Sequence, residues 1–453
     1  MSDWTVILRS LSVRRFSTVT TVATVAVAVA LMLVLVAMRE AAKKAFERGA
    51  GDMHLMVSAE ASPLASVLNG IFYANAPRRP IPWDRYERLS AEAPWAYAVP
   101  IQQGDSFEGH PVLATSEEFF TEFKPNPGEA WQLAEGRFFT DSFEVVLGAG
   151  VAKATGLRLG DRIALAHGYS ADSKAGLRLP PEDDHDHAHD HDHDHDHAHD
   201  HAHDEGTPHV HDEFAYKVVG ILKPTGGAHD RALITNLEST WIIHAHDRRV
   251  KEGETETTAD DLIDADRKIT GVYLRLRTRE GSNVPANLPM VFDALRKDTS
   301  ITVAAPFDEI RKLDIIVGNV NRLFVVVAGA VILSSGIAIM LALYNSMEQR
   351  RRQIAVLRVL GASKGRIFNL VLTESVLIGL MGAAAGVLLA FVGAVFAAGI
   401  VKGRIGLVVD PALPARPVVA VVLATVALAA VAGIIPAIVG YRTSVARNLR
   451  PLG

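Results

Sequence analysis

One stretch of this chain is built almost entirely from metal-ligand side chains. Residues 182–205 read EDDHDHAHDHDHDHDHAHDHAHDE. Within them His185, His187, His189, His191, His193, His195, His197, His199, His201 and His203 alternate with aspartates and alanines, and His209 and His211 follow shortly after. Imidazole and carboxylate both bind borderline divalent ions. In an extended chain, side chains two apart share a face, so the alternation at 189–197 sets imidazoles on one side and carboxylates on the other. The expected chemistry is several exchangeable sites of modest affinity and low selectivity, with zinc first among the ions and nickel or copper after it. Protonation of the imidazoles would release the metal near or below about pH 6. The competing reading is a disordered polar insert with no role, because the tract has almost nothing apolar to bury.

Outside the tract, chemistry is sparse. His229, His244 and His246 lie in the same region and could add ligands, although surface positions are the commoner fate of such histidines. There is no cysteine, which excludes disulfides and thiolate metal sites. No GxxxxGK[ST] string, HExxH pair or nucleophile elbow is present, so the chain is read as a non-enzyme with no tightly bound cofactor. Divalent metal on the tract is the one ligand the residues themselves suggest.

The elements that must carry the tract are those of a membrane protein. The chain has 453 residues, of which 49% are hydrophobic. Four uncharged stretches, Phe16–Met38, Leu323–Met347, Ser375–Val401 and Pro417–Tyr441, each exceed the roughly 20 residues that a helix needs to cross a bilayer. The net charge of −5 hides a split. Residues 182–213 hold 13 acidic residues and no basic one; that leaves 38 of the 51 acids against all 46 bases, or +8, for the rest. Membrane orientation, not nucleic-acid binding, accounts for part of that surplus. Arg9, Arg14 and Arg15 precede span 1; Arg350, Arg351, Arg352, Arg358, Lys364 and Arg366 lie between spans 2 and 3; Arg442, Arg447 and Arg450 follow span 4. The positive-inside rule makes these segments cytoplasmic and the large region between spans 1 and 2 extracytoplasmic. Span 1 is too long for a signal-peptide core and lacks a clear cleavage site, so it is expected to stay.

The fold class expected is therefore an integral membrane α-helical protein, with four transmembrane helices in a 1+3 arrangement and a large α+β extracytoplasmic domain between helices 1 and 2. Residues 1–15 read as a cytoplasmic amphipathic helix, 16–38 as the first span and 39–321 as the extracytoplasmic domain, with 182–213 as a disordered insertion. Residues 322–347 are the second span, 348–370 a cytoplasmic coupling helix and loop, 371–401 the third span, 402–416 an outer loop, 417–441 the fourth span and 442–453 a tail. Inside the domain, short runs at 54–58, 94–103, 111–115, 145–147, 162–166, 213–222, 271–278 and 300–304 read as strands, the one at 145–147 as a buried strand. The tract joins two of these, and loop-closure entropy grows slowly enough to tolerate such a length. Glu374, at the start of span 3, is expected to play a structural part through a basic neighbour such as Arg366. Gly379, Gly382 and Gly386 suit a close-packed helix face, and ordinary use of glycine in spans explains them equally well.

The segment Asn345–Gly361, NSMEQRRRQIAVLRVLG, follows span 2. Ile354, Val356, Leu357 and Leu360 form an apolar stripe with Arg350–Arg352 and Arg358 around it, and Gly361 is placed to end the helix. Pattern alone leaves two readings open: a helix that anchors the loop at the membrane surface, and one that docks in a groove of a cytosolic partner.

This string, the 1+3 spans and the closing VAGIIPAIVGYRTSVARNLRPL together resemble the FtsX-like, MacB-type permeases of ABC transporters. GRFFTDSFEVVLGAGVAKATGLRLGDRIAL and YKVVGIL resemble that family's extracytoplasmic domain. The resemblance covers nearly the whole chain except the tract, which departs from the family pattern. It implies a homo- or heterodimeric permease in a bacterial inner membrane, multi-pass with its domain in the periplasm. It also implies a separate cytosolic ABC ATPase seated on Glu348, Arg350, Arg351, Arg352, Ile354, Leu357, Arg358 and Gly361, and an extracytoplasmic lipoprotein or adaptor as a further partner. The function implied is ATP-driven export or handling of a lipoprotein or envelope component, linked to zinc by the tract. The alternative is a non-transporting scaffold that signals to an extracytoplasmic enzyme or sensor.

Overall fold

The computed structural model describes residues 3–168, 175–180, 210, 213–254, 256–279, 281–405 and 412–442. Helices α1 (Asp3–Val13) and α2 (Arg15–Gly49) come first. The region after them opens with β1 (Leu55–Ser58), α3 (Pro63–Gly70), β2 (Ile81–Pro82), α4 (Trp83–Ala91), β3 (Trp95–Phe107), β4 (His110–Thr115) and α5 (Glu118–Thr121). It continues with β5 (Leu133–Gly136), β6 (Glu144–Leu147), α6 (Ala149–Thr155), β7 (Arg162–Ala164), β8 (Ala166–His167) and β9 (Leu177–Leu179). Beyond the histidine tract come β10 (Tyr216–Leu222), β11 (Leu233–Asn236), α7 (Leu237–Lys251), β12 (Lys268–Ile269), β13 (Gly271–Leu276), α8 (Leu288–Leu295) and β14 (Thr302–Ala304). Helices α9 (Pro306–Val359), α10 (Lys364–Ile405) and α11 (Ala415–Arg442) end the described chain.

In the α+β domain, one mixed sheet runs β14-β1-β13-β3-β4-β11-β6-β10-β7-β9, with β5 on β10 and β8 on β3. β11 pairs parallel with β4, and β10 with β6; the other pairs are antiparallel. The sheet buries both faces, and the two-residue period of its strands sorts the side chains. Met56, Leu113, Val146, Ile234 and Tyr273 join one core with Phe119, Phe123 and Trp131. Their neighbours point the other way. Leu55, Val57, Ala114, Val272 and Leu274 form a second core, and Val112, Val145, Leu147 and Leu233 a third. Helix α7 covers this second face, giving Leu237 and Trp241 to one core and Ile243 to the other. It starts where it does because the Asn236 side chain accepts the Ser239 N–H at 3.0 Å.

Local differences from the sequence reading have physical causes. β9 was not expected; it is a short, largely exposed strand that pairs with β7, so the tract follows β9 rather than β7. β13 is buried almost throughout, because β1 and β3 flank it within the sheet and cores lie on both faces. α7 runs on to Lys251, with Arg248, Arg249 and Lys251 in its last turn. α10 likewise runs on to Ile405, past the expected end of the third span.

Among the described residues, four helices are long and apolar enough to cross a membrane: Arg15–Glu40, Arg322–Met347, Lys364–Gly399 and Ala415–Arg442. At 1.5 Å per residue even about 26 residues reach about 39 Å, beyond a hydrocarbon core of roughly 30 Å. Val25, Val29, Leu33, Ile339, Leu343, Ile378, Val421 and Ala429 form their shared core. Glycine allows the close approach: a Cβ on Gly382 would stand 2.5 Å from Val25 Cγ1, and one on Gly386 2.6 Å from Val29 Cβ. α1 buries Ile7, Ser10 and Leu11, and Ile7 and Leu11 join the same core. Pro436 sits inside α11, where it removes one backbone donor.

Candidate functional site

The coupling segment is not a separate helix. It forms the last turns of α9, because nothing between Asn345 and Val359 breaks the helical ladder. The helix then stops in a built C-terminal motif. Gly361 adopts φ +96, Gly361 N–H donates to the Arg358 carbonyl at 3.2 Å, and Ala362 N–H to the Leu357 carbonyl at 3.0 Å. That pair of bonds requires a left-handed residue, which glycine supplies without steric cost. Ser363 starts the next helix: its Oγ accepts the Arg366 N–H at 3.2 Å.

The apolar stripe divides. Ile354 turns inward and packs with Met347, Ile367, Val371 and Ala437. Val356, Val359 and Leu360 stay exposed, Leu360 at 77%. Residues three and four apart share one side of a helix, so these three make an outward apolar ridge. Leu357 and Arg358 are half-buried beside it. Glu348, Arg350, Arg351 and Arg352 belong to the same helix, with side chains outside those described.

Polar contacts hold α1 against α10. Glu374 is buried, and its carboxylate accepts from Ser10 Oγ at 2.8 Å and from the Arg14 guanidinium. Arg366 is not its partner; that guanidinium pairs with Asp3 at 2.6 Å instead. The Lys364 ammonium lies 5.6 Å from the Tyr441 ring centroid. The segment after α9 is thus tied to the N-terminal helix and to α11 through three charged side chains.

The tract histidines, His185, His187, His189, His191, His193, His195, His197, His199, His201, His203, His209 and His211, lie outside the described residues. His229, His244 and His246 are not the surface residues expected. His229 is 1% exposed, between Phe119, Phe123 and Trp131, because the short 3-10 turn Ala228–Arg231 is buried whole. Its Nδ1 faces the Tyr73 hydroxyl at 2.6 Å. Burial raises the Tyr73 pKa, so the phenol keeps its proton and donates. Burial also pushes the His229 pKa down to about 4. His246 is buried too, on the inner side of α7, with its Nδ1 3.2 Å from Thr257 Oγ1.

His244 has different company. It comes together with Asp105 and His167, their ligand atoms all within 4.8 Å of one another. β3 and β8 place Asp105 directly opposite His167. Neither residue stands out in the sequence, since they are 62 positions apart and belong to no motif. Only strand pairing unites them.

Two family models match the chain. The model described as MacB-like periplasmic core domain matches residues 18–286, and the one described as FtsX-like permease C-terminal matches residues 325–445. No curated protein matches it.

Proposed function

We propose how work reaches the outer domain of this chain, which belongs to the FtsX-like permeases with a MacB-like periplasmic core domain and is a permease subunit of an ABC transporter. ATP hydrolysis in a separate cytosolic subunit displaces the Asn345–Gly361 end of α9. The displacement passes along that helix to the domain between the first two spans. The observation that supports this most is α9 itself. One uninterrupted helix of 54 residues carries an exposed apolar ridge at its C-terminal end and the second span within it, and it begins just after β14.

Charge supplies the orientation. Arg9, Arg14 and Arg15 precede the first span, Arg358, Lys364 and Arg366 lie between the second and third, and Arg442 follows the fourth. The positive-inside rule sets all of these in the cytoplasm, which places the α+β domain in the periplasm of an inner-membrane protein. The ridge Val356, Val359 and Leu360, with Glu348, Arg350, Arg351 and Arg352 in the preceding turns, then faces the compartment that holds ATP. The chain itself has no phosphate-cradling loop. A second permease copy completes the assembly, and the domain works on a lipoprotein or another envelope component. The histidine tract ties that work to divalent metal, with zinc ahead of nickel and copper.

The test is to purify the tagged full-length chain from its own cells in mild detergent and assay it for ATPase activity. The reading requires that a nucleotide-hydrolysing subunit co-purify. It also requires that replacing Val356, Val359 and Leu360 with aspartate release that subunit while leaving the permease folded. A permease that comes out alone under conditions that preserve its dimer contradicts it.

A further inference from the structure

The geometry points to a built site for one divalent cation of the zinc class in the ordered part of the α+β domain, formed by Asp105, His167 and His244. The inference deepens the metal link proposed above, but it rests on described side chains and not on the tract.

β3 and β8 set two of the ligands. Asp105 Oδ1 and His167 Nδ1 are already 3.1 Å apart. A tetrahedral zinc ion with ligands at about 2.1 Å has ligand–ligand edges of about 3.4 Å, so this pair matches one edge. The strand around them is locked. Ser106 Oγ donates to the Gly168 carbonyl at 2.6 Å, and Gly168 N–H to the Gly104 carbonyl at 2.8 Å. His244 arrives from α7, and its ring centroid is 5.7 Å from that of His167, nearly edge-on. The full group spans up to 4.8 Å, wider than a tetrahedral edge. Closing it takes a side-chain movement of about 1 Å at His167, a half-exposed residue on a two-residue strand.

The surroundings favour a cation. Asp105 is 3% exposed, and its one described ion partner is His167. A buried carboxylate needs a compensating charge. Asp247, one turn beyond His244 on α7, adds negative potential at both imidazoles.

Two unpaired polar atoms make the site specific. His244 Nε2 and Gln102 Oε1 are both buried without a hydrogen-bond partner, while Gln102 Nε2 lies 3.5 Å from His244 Nδ1. With the amide N and O of Gln102 exchanged, its Oε1 faces His244 Nδ1. Oε1 then accepts the Nδ1–H of His244, which fixes the tautomer and leaves the Nε2 lone pair for a metal ion. Metal-bound histidines are commonly oriented this way. Gln102 and Asp105, three apart, would point to opposite faces of a regular strand. The register shift between Gln103 and Ser106 brings both to the side that α7 covers. Val210, the residue between His209 and His211 in the sequence, bridges to Ala166, the neighbour of His167. The chain that leaves the tract therefore passes the site.

The experiment uses the full-length protein in detergent with the twelve tract histidines replaced by serine, so that only the ordered domain can bind. Cobalt(II) alone is titrated in, followed by zinc(II) as competitor. The expected result is one cobalt per chain with visible ligand-field absorption, displaced by zinc. Adding His167→Ala or His244→Ala abolishes it. Adding Gln102→Ala weakens it by about 10-fold or more. Circular dichroism and gel filtration of His167→Ala and His244→Ala show that each variant stays folded, so a loss of binding cannot come from misfolding. Failure of the serine variant to bind stoichiometric cobalt overturns the inference. So does binding that survives His167→Ala and His244→Ala unchanged. Either failure leaves the tract's own metal role, read from the unsubstituted chain, untouched.

Discussion

Glu374 accepts a hydrogen bond from Ser10 Oγ at 2.8 Å across 364 positions of sequence, and the Arg14 guanidinium closes on the same carboxylate. The pair is largely shielded, with side chains 17% and 4% exposed. Removing one member of a buried ion pair strands the other and costs about 3–5 kcal/mol. Glu374→Ala should therefore lower the unfolding temperature of the detergent-solubilised protein by several degrees. Asp3→Ala, which breaks the half-exposed pair to Arg366, should cost at most about 1 kcal/mol. Equal shifts for the two would show that Glu374 does not hold α1 in place.

Helix contact within the spans depends on which glycine is changed. A Cβ on Gly386 meets Val29 Cβ at 2.6 Å and the Ala26 carbonyl at 2.8 Å, whereas one on Gly399 meets nothing within 4 Å. Gly386→Leu should destabilise by about 1–3 kcal/mol through overpacking, and Gly399→Leu should be near neutral. Thermal unfolding of both variants in the same detergent checks the contrast.

Acid should weaken the α+β domain through His229. Its folded pKa is about 4, against an ordinary value of 6.5, because burial disfavours the charged ring. Between those values the unfolded chain binds more protons than the folded one, so stability falls as pH falls. The contribution is complete above 6.5, declines below it, and is exhausted near 4. Its size is on the order of 3 kcal/mol. His229→Gln can still accept from Tyr73 but does not titrate. Its stability should fall less steeply than the parent's from pH 7 to 4.5 in the presence of chelator; parallel curves would contradict the assignment.

Removing residues 182–212 should change growth of the producing cells under zinc limitation, zinc excess, or both. Indifference in both conditions would eliminate a metal role for the tract and leave the permease assignment standing.

Much of the architecture was legible because it follows from local pattern. Span hydropathy, the buried apolar run at Val145–Leu147, and a glycine at position 361 all act over a few residues. What was missed depends on pairing between distant segments. Nothing near Glu374 in the sequence identifies Arg14 as its partner, and the nearer Arg366 was the natural guess until α1 folded back. His229 looked like a surface histidine because its burial comes from Phe119, Phe123 and Trp131, a hundred or so positions earlier. Asp105 and His167 carry no motif; a short strand and a register shift create their meeting. Apolar periodicity shows what is buried, but not which polar groups are buried together.

The central claim is that a nucleotide-hydrolysing subunit sits on the end of α9. The chain has no cysteine, so a single one introduced at Leu360 is the only thiol in it. After co-expression with the ATPase, a thiol-to-amine crosslinker should join Leu360→Cys to that subunit, with a yield that changes between ATP-bound and nucleotide-free states. The same reagent on Phe396→Cys, which is 71% exposed within the third span, should give no such product. Absence of a crosslink from Leu360→Cys, together with full activity after Arg350, Arg351 and Arg352 are changed to glutamate, would contradict the account.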